Sequence, residues 1–281
     1  MFAAPFDYHR PQTVAEALGL LRDVQGSRVI AGGHSLLPAM KLRLAAPAAL
    51  IDISRIDELR GIAEGDDGLR IGALTTHATV AASNVVRARC PVLAETAGII
   101  GDQQVRNRGT IGGSVSHADP GADYPAVLML LDAQFHAANG QERTIAASDF
   151  FVDLFTTSLQ PGELLTAVSV PAAKGKAVYR KHRHPASAFA VVGVAVLLDV
   201  QDGKCADVRI AIGGVCAAPV RAKAAEARLK GEAPTAANIA SAADAVAAAL
   251  ENPIGDPYAS GEFRVHLAGV MARRALTEVA G

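Results

Sequence analysis

Two glycine-rich turns carry most of the chemical suggestion in this sequence. They are Val29-Ile30-Ala31-Gly32-Gly33-His34-Ser35 and Arg108-Gly109-Thr110-Ile111-Gly112-Gly113-Ser114. Each sets a Gly-Gly pair after an apolar stretch, with a hydroxyl residue close behind. Glycine admits positive φ and close approach of a ligand to the backbone. Successive free N–H groups in such a turn form an anion-binding nest, and Ser35, Thr110 and Ser114 add hydroxyl donors. Two such nests facing one another suit a diphosphate, whereas either turn alone reads equally well as an ordinary strand-to-helix connection. Neither is a G-x-G-x-x-G fingerprint and no G-x-x-x-x-G-K-[ST] is present, which disfavours a Rossmann site and a P-loop. His34, inside the first turn, either holds that turn by side-chain hydrogen bonds or lies beside a cofactor ring.

After the second turn comes His117-Ala118-Asp119-Pro120-Gly121-Ala122-Asp123-Tyr124-Pro125. Asp119 and Asp123 could accept hydrogen bonds from ribose hydroxyls or adenine, or could shape a turn and cap the helix at Ala126. The turn reading is the better one for Asp119, and both stand for Asp123. Arg180-Lys181-His182-Arg183-His184 is a basic run whose histidines alternate, but no third ligand lies near, so no metal site is assigned. There is no G-x-S-x-G elbow and no acid–base dyad, so no catalytic residue is assigned either.

These turns need elements to hold them. Thr13 and Glu16 form a T-x-x-E capping box ahead of a helix carrying Val14, Ala17, Leu18 and Leu21. Short strands are expected at 6–8, 28–31 and 49–53, and helical composition at 36–44. Gly65-Asp66-Asp67-Gly68 marks a hairpin. Thr76 caps a short helix through Ala82, Pro91 opens a helix to Ile100, and Tyr124-Pro125 opens another to Leu131. Asn139-Gly140 turns between two strands, and a strand over 164–170 closes at Pro171. Beyond a compositional break at 172–176, strands are expected at 177–181, 189–200 and 208–213, with Asp202-Gly203 as a hairpin turn. Helices follow at 219–229, 236–250 and 261–279. The order is α+β in the first part and strands-then-helices in the second.

Composition narrows the classes. The chain has 281 residues, a soft prior for two domains at roughly 150 each. Half of it is hydrophobic, which excludes a disordered chain. Lys+Arg 27 against Asp+Glu 28 leaves a net charge of −1, no footprint for nucleic acid. Cys90, Cys205 and Cys216 form neither a disulfide framework nor a CxxC pair, so no iron–sulfur cluster is expected on this chain. The N-terminus lacks a cationic start followed by an apolar stretch. The longest apolar run, 188–198, is shorter than the about 20 residues of a membrane span. A cytoplasmic location is expected, with membrane association only through a partner.

Taken together, Ala31-Gly32-Gly33-His34-Ser35 with the following LLPAMKLR, and RNRGTIGGS at 106–114 with the following HADPGADYP, resemble the flavin subunit of molybdenum hydroxylases. The likeness is to the medium chain of the carbon monoxide dehydrogenase group and the central flavin domain of xanthine dehydrogenase, and covers essentially the whole chain. It implies a two-lobed α+β FAD-binding domain (PCMH-type) over 1–172 and a smaller α+β C-terminal domain over 176–279. It implies an FAD-binding electron-transfer subunit, incomplete without partners: a large molybdopterin subunit and a small subunit with two [2Fe–2S] clusters, in an (αβγ)₂ assembly. By resemblance, Ala31, Gly32, Gly33, His34 and Ser35, with Thr110, Gly112, Gly113 and Ser114, grip the FAD diphosphate, largely through backbone N–H groups. Asp123 sits near the AMP half, Ile100 lines the cofactor and Leu165 packs near the isoalloxazine. Lys181 matches a basic residue of a Y-x-K stretch, and Phe189 falls where some relatives carry an aromatic over the flavin. Valine at Gly33 or Gly113 is therefore expected to abolish FAD retention. Two other readings remain: a self-sufficient flavin oxidoreductase of the same broad fold, and a flavin-free scaffold subunit.

Overall fold

The computed structural model describes residues 2–281 and contains three larger sheets and a two-stranded ribbon. The first sheet is parallel. β1 (Asp7–His9), α1 (Val14–Asp23), β2 (Ser27–Ile30), α2 (Leu36–Lys41) and β3 (Ala49–Asp52) follow in order, with β3 between the other two strands. Thr13 Oγ1 accepts from the Glu16 N–H at 3.2 Å, so the expected cap forms. The Glu16 carboxylate reaches one residue further back, to the Gln12 N–H at 2.7 Å. Ala17 of α1 packs with Ile51, Ile53 and Leu164 in a small core of its own. This sheet therefore presents the carboxyl end of β2, and the glycines that follow it, to the crevice beyond, the usual place for ligands in parallel sheets.

The second sheet is antiparallel, in the order β4-β5-β10-β6-β7. β4 (Ile62–Gly65) and β5 (Gly68–Gly72) form the expected hairpin. A run of helices then interrupts the sheet: α3 (His77–Ala82), α4 (Asn84–Arg89), α5 (Pro91–Gly98), α6 (Gln103–Arg108), α7 (Ile111–His117) and α8 (Tyr124–Leu130). Helices α4 and α6 span six residues each, too few for periodicity to reveal a stripe; their caps, Ser83 and Asp102, are the signal that was present. β6 (Gln134–Ala138) and β7 (Glu142–Ala146) turn at Asn139-Gly140, where Gly140 takes φ +108°. α9 (Ala147–Phe150) and the ribbon of β8 (Phe151–Asp153) and β9 (Thr156–Thr157) precede β10 (Leu164–Pro171). β10 inserts between β5 and β6, with a register shift between Leu165 and Ala167. Phe135 stacks on Phe150 at 3.9 Å beneath this sheet.

The third sheet runs β11 (Lys176–Arg183), β12 (Ala190–Gln201), β13 (Lys204–Gly213) and β14 (Val220–Arg221). β12 is buried on both faces. Val192, Val194, Val196 and Leu198 face a core made with α10 (Lys223–Leu229), α11 (Ala236–Asp244) and α12 (Gly261–Ala280). Ala195 and Leu197 face the opposite way, into the core that contains α8. That period-two alternation explains why the run is apolar throughout. The helix expected over 236–250 ends at Asp244 and tightens into a 3₁₀ turn over 246–249. Among the described residues, no helix is long and apolar enough to cross a membrane.

Candidate functional site

The two glycine turns meet back to back. A Cβ built at Gly32 would overlap the carbonyl oxygen of Arg108 and crowd Gly109 Cα at 2.8 Å. Gly109 in turn rests on His77: a Cβ there would lie 2.6 Å from the imidazole Nε2. His77 packs against Tyr124, with ring centroids 5.3 Å apart. Glycine is thus required at the junction by contact between segments as well as by any ligand.

Around this junction opens a cavity of about 720 Å³, within the range of about 300–1,000 Å³ usual for small-molecule sites. Its wall includes Ala31, Gly32, Gly33, His34, Ser35, Ile100, Thr110, Gly112, Gly113, Ser114, Asp123, Leu165 and Phe189. Of the residues expected from the resemblance to contact the cofactor, Lys181 alone does not line it. Lys181 stands behind the wall, its Nζ 2.9 Å from Asp123 Oδ2, 2.9 Å from the Ala188 carbonyl and 3.3 Å from the Ile99 carbonyl.

The two turns are not equivalent, which corrects the expectation of facing nests. Among the described residues, the backbone N–H groups of Gly32, Gly33, His34 and Ser35 donate to no protein acceptor. Gly33 has φ +78°. In the second turn the amides that follow Thr110 are already bonded: Ile111 to the Thr75 carbonyl at 3.0 Å, Gly112 to that of Ala73 at 2.9 Å, and Ser114 to that of Thr110 at 3.0 Å. The Gly113 N–H goes to Thr110 Oγ1 at 3.0 Å. The physical reason is that Gly112 and Gly113 lie in the first turn of α7, and Gly112 lets that turn settle on β5's end. A Cβ there would stand 2.5 Å from Ala73 Cβ. A ligand therefore finds four open amides in the first turn, and in the second the Thr110 N–H, without a protein acceptor among the described residues, and the Ser114 hydroxyl.

Asp123 does not take the capping role that its position offers. It occupies the N-cap position of α8, but its side chain does not cap the helix. Oδ1 accepts from Tyr179 Oη at 2.8 Å, and Oδ2 pairs with Lys181. Burial pushes this carboxyl up, while the Lys181 ammonium and the Tyr179 hydroxyl oppose the rise. Asp119 instead shapes a turn, its Oδ1 accepting from the Gly121 N–H at 2.9 Å. His182 and His184 pack on Tyr258, and no cluster of metal-ligating residues occurs among the described residues.

Several wall residues were not singled out by sequence. His117 packs on Phe155 at 5.1 Å, and Phe155 holds φ +51° beside Thr156 and Thr157. His77 follows the cap residue Thr76, but nothing local shows that it supports a turn more than thirty residues away. Burial, with His34 and Arg106 nearby, pushes its imidazole down to about 4. Between about pH 4 and 6.5 the folded chain then carries one proton fewer at this site than the unfolded chain, so stability falls as pH drops through that window. Wild-type protein is expected to lose about 3 kcal/mol more than His77→Gln between pH 7 and 4. Urea unfolding at a series of pH values measures this, and parallel curves for the two proteins would contradict it.

The free donors, the absence of Cβ atoms at the junction and the cavity fit a cofactor carrying a diphosphate. Comparison with known proteins agrees. Residues 4–173 match the family model described as FAD binding domain in molybdopterin dehydrogenase. Residues 177–279 match the CO dehydrogenase flavoprotein C-terminal domain. The carbon monoxide dehydrogenase medium chain of Hydrogenophaga pseudoflava is 41% identical over 281 residues, 98% of this chain and 97% of that one. The glyceraldehyde dehydrogenase medium chain of Sulfolobus acidocaldarius is 36% identical, and all of both chains is covered. Among solved structures, the H. pseudoflava carbon monoxide dehydrogenase that lacks the Mo-pyranopterin moiety of its molybdenum cofactor superposes with TM-score 0.96, covering 99% of this chain and 98% of that one.

Proposed function

This chain belongs to the family of FAD-binding medium subunits of the molybdenum hydroxylases, and from that premise we propose that it is the electron-transfer subunit of such a complex. The observation that carries the reading is the row of unpartnered amides from Gly32 to Ser35 opening on the cavity. In it, the Gly32–Ser35 amides and the hydroxyls of Ser35 and Ser114 hold the FAD diphosphate, with Thr110, Gly112 and Gly113 shaping the wall. Ile100, Leu165 and Phe189 exclude water along the apolar part. Asp123 fixes a polar edge near the AMP half, and Lys181 holds Asp123 in place. Bound FAD supplies the ability to accept electrons singly and release them in pairs.

In the proposed assembly a small subunit carries [2Fe–2S] clusters and a large molybdopterin subunit oxidises the substrate, in an (αβγ)₂ arrangement in the cytoplasm. Residues 1–172 form the FAD-binding domain and 176–279 the C-terminal domain. Relatives named for carbon monoxide and for glyceraldehyde match nearly this whole chain, which supports placing the choice of substrate in another subunit. Titrating the purified full chain with FAD tests the cofactor reading. Saturation at about one FAD per chain is expected, the flavin being held by the protein; no binding would overturn it.

A further inference from the structure

The segment from His184 to Phe189 connects β11 to β12 and brings Ser187, Ala188 and Phe189 to the cavity wall. It is a single helical turn in miniature. The Ala188 N–H donates to the His184 carbonyl at 3.0 Å, and the His184 N–H donates to the Phe189 carbonyl at 2.8 Å. The turn begins with Pro185, which supplies no N–H. His184 Nδ1 accepts from the N–H groups of Ala186 at 3.2 Å and Ser187 at 3.3 Å. An N-cap Asn or Asp does the same for the second and third residues after it. The imidazole is therefore the Nε2–H tautomer, with Nδ1 as acceptor. Tyr258 packs edge-on against the ring at 4.7 Å.

The far end of the turn is under strain. Ala188 has φ +65°, a conformation that costs a residue with a Cβ. Its carbonyl is held by Lys181 Nζ. Phe189, next in line, stays 45% exposed at the cavity wall although it is a large apolar side chain. Its N–H donates to Ser187 Oγ at 3.4 Å. A strained residue and an exposed aromatic persist only when their surroundings hold them there, and His184 is the acceptor that closes the turn upstream of both.

Resting on the FAD reading above for its functional consequence, we propose that His184 is a positioning residue whose Nδ1 folds the 184–189 turn and so sets Phe189 against the bound flavin. His184 itself does not line the cavity. Asparagine at this position places Oδ1 where the imidazole has Nδ1 and so keeps the acceptor, whereas alanine removes it.

The test compares the full chain with His184→Ala and His184→Asn by hydrogen exchange of the 182–190 segment, with and without FAD. It adds iodide quenching of bound-flavin fluorescence. The Ala186 and Ser187 amides are expected to exchange about tenfold faster in His184→Ala and within about twofold of wild type in His184→Asn. Flavin quenching should rise in the alanine variant alone. Unchanged exchange in His184→Ala, or exchange as fast in His184→Asn, would overturn the capping role. Faster exchange with unchanged quenching would overturn the positioning of Phe189. A wild-type chain that binds no FAD would overturn the cofactor reading, while the exchange comparison without FAD would still decide the role of His184.

Discussion

Replacing Gly32 with valine is expected to leave a folded chain that no longer retains FAD, its affinity reduced at least about 100-fold, which corresponds to about 2.7 kcal/mol. The new Cβ would overlap the Arg108 carbonyl, and both this oxygen and the nearby Gly109 Cα belong to the backbone. Neither can swing aside as a flexible side chain would. The two turns must separate, and the open amides of Gly32 to Ser35 move with the first of them. Valine at Gly33 is expected to act similarly for a different reason: φ +78° disfavours any β-branched residue. At Gly113 the expectation from sequence weakens. That residue is helical, and its nearest obstacle is Thr110 Oγ1 at 2.8 Å, so the first cost is loss of a cap. Gly19→Ala, on α1 with only the tip of Arg22 within 3.9 Å, serves as the control and should keep its FAD. FAD content after gel filtration, beside the melting temperature, ranks the variants. Full occupancy in Gly32→Val would contradict the role given to the junction.

The second large effect concerns the pair behind the wall. Asp123 and Lys181 have side chains 5% and 6% exposed. Removing one member of a buried pair strands the other, at a cost of about 3–5 kcal/mol. Asp123→Ala should fall near the lower end, because the Ile99 and Ala188 carbonyls still accept from the ammonium. It also deprives the buried Tyr179 hydroxyl of its acceptor. Replacing both members with apolar residues of similar volume, Asp123→Leu with Lys181→Met, should recover much of the stability, since no charge is left uncompensated. FAD retention should not recover with it if the Asp123 carboxylate also serves the cofactor. Denaturant unfolding and FAD titration of the single and double variants separate the two roles. A double variant no more stable than Asp123→Ala would refute the account of the pair.

Local structure was legible where a side chain acts within a few residues of itself. Thr13, Thr76 and Asp202-Gly203 lie where their chemistry says, because caps and tight turns are decided by neighbours. The glycine turns were legible as a pair. Their inequality was not, because which amides remain free depends on carbonyls of Ala73 and Thr75 brought in from β5's end. The Asp123–Lys181–Tyr179 cluster joins residues 56 and 58 positions apart; the pairing of β11 with β12 and the packing of α8 against β12 and β13 bring these residues together. His77 and Phe155 gave still less signal, since one reads as a helix residue after its cap and the other lies in a stretch without a motif. The basic run of 180–184 shows the same limit: its spacing suggested shared facing, but Tyr258, from the far end of the chain, decides what His182 and His184 touch.

The most direct test of the electron-transfer role is the ratio of iron to FAD in the intact complex, purified with its co-expressed partners and weighed by native mass. The account predicts one large complex with about four irons per FAD, as two [2Fe–2S] clusters require, and a flavin that is reduced when the substrate of the large subunit is added. FAD bound to this chain alone, free of iron and partners and reduced directly by a substrate, would contradict it.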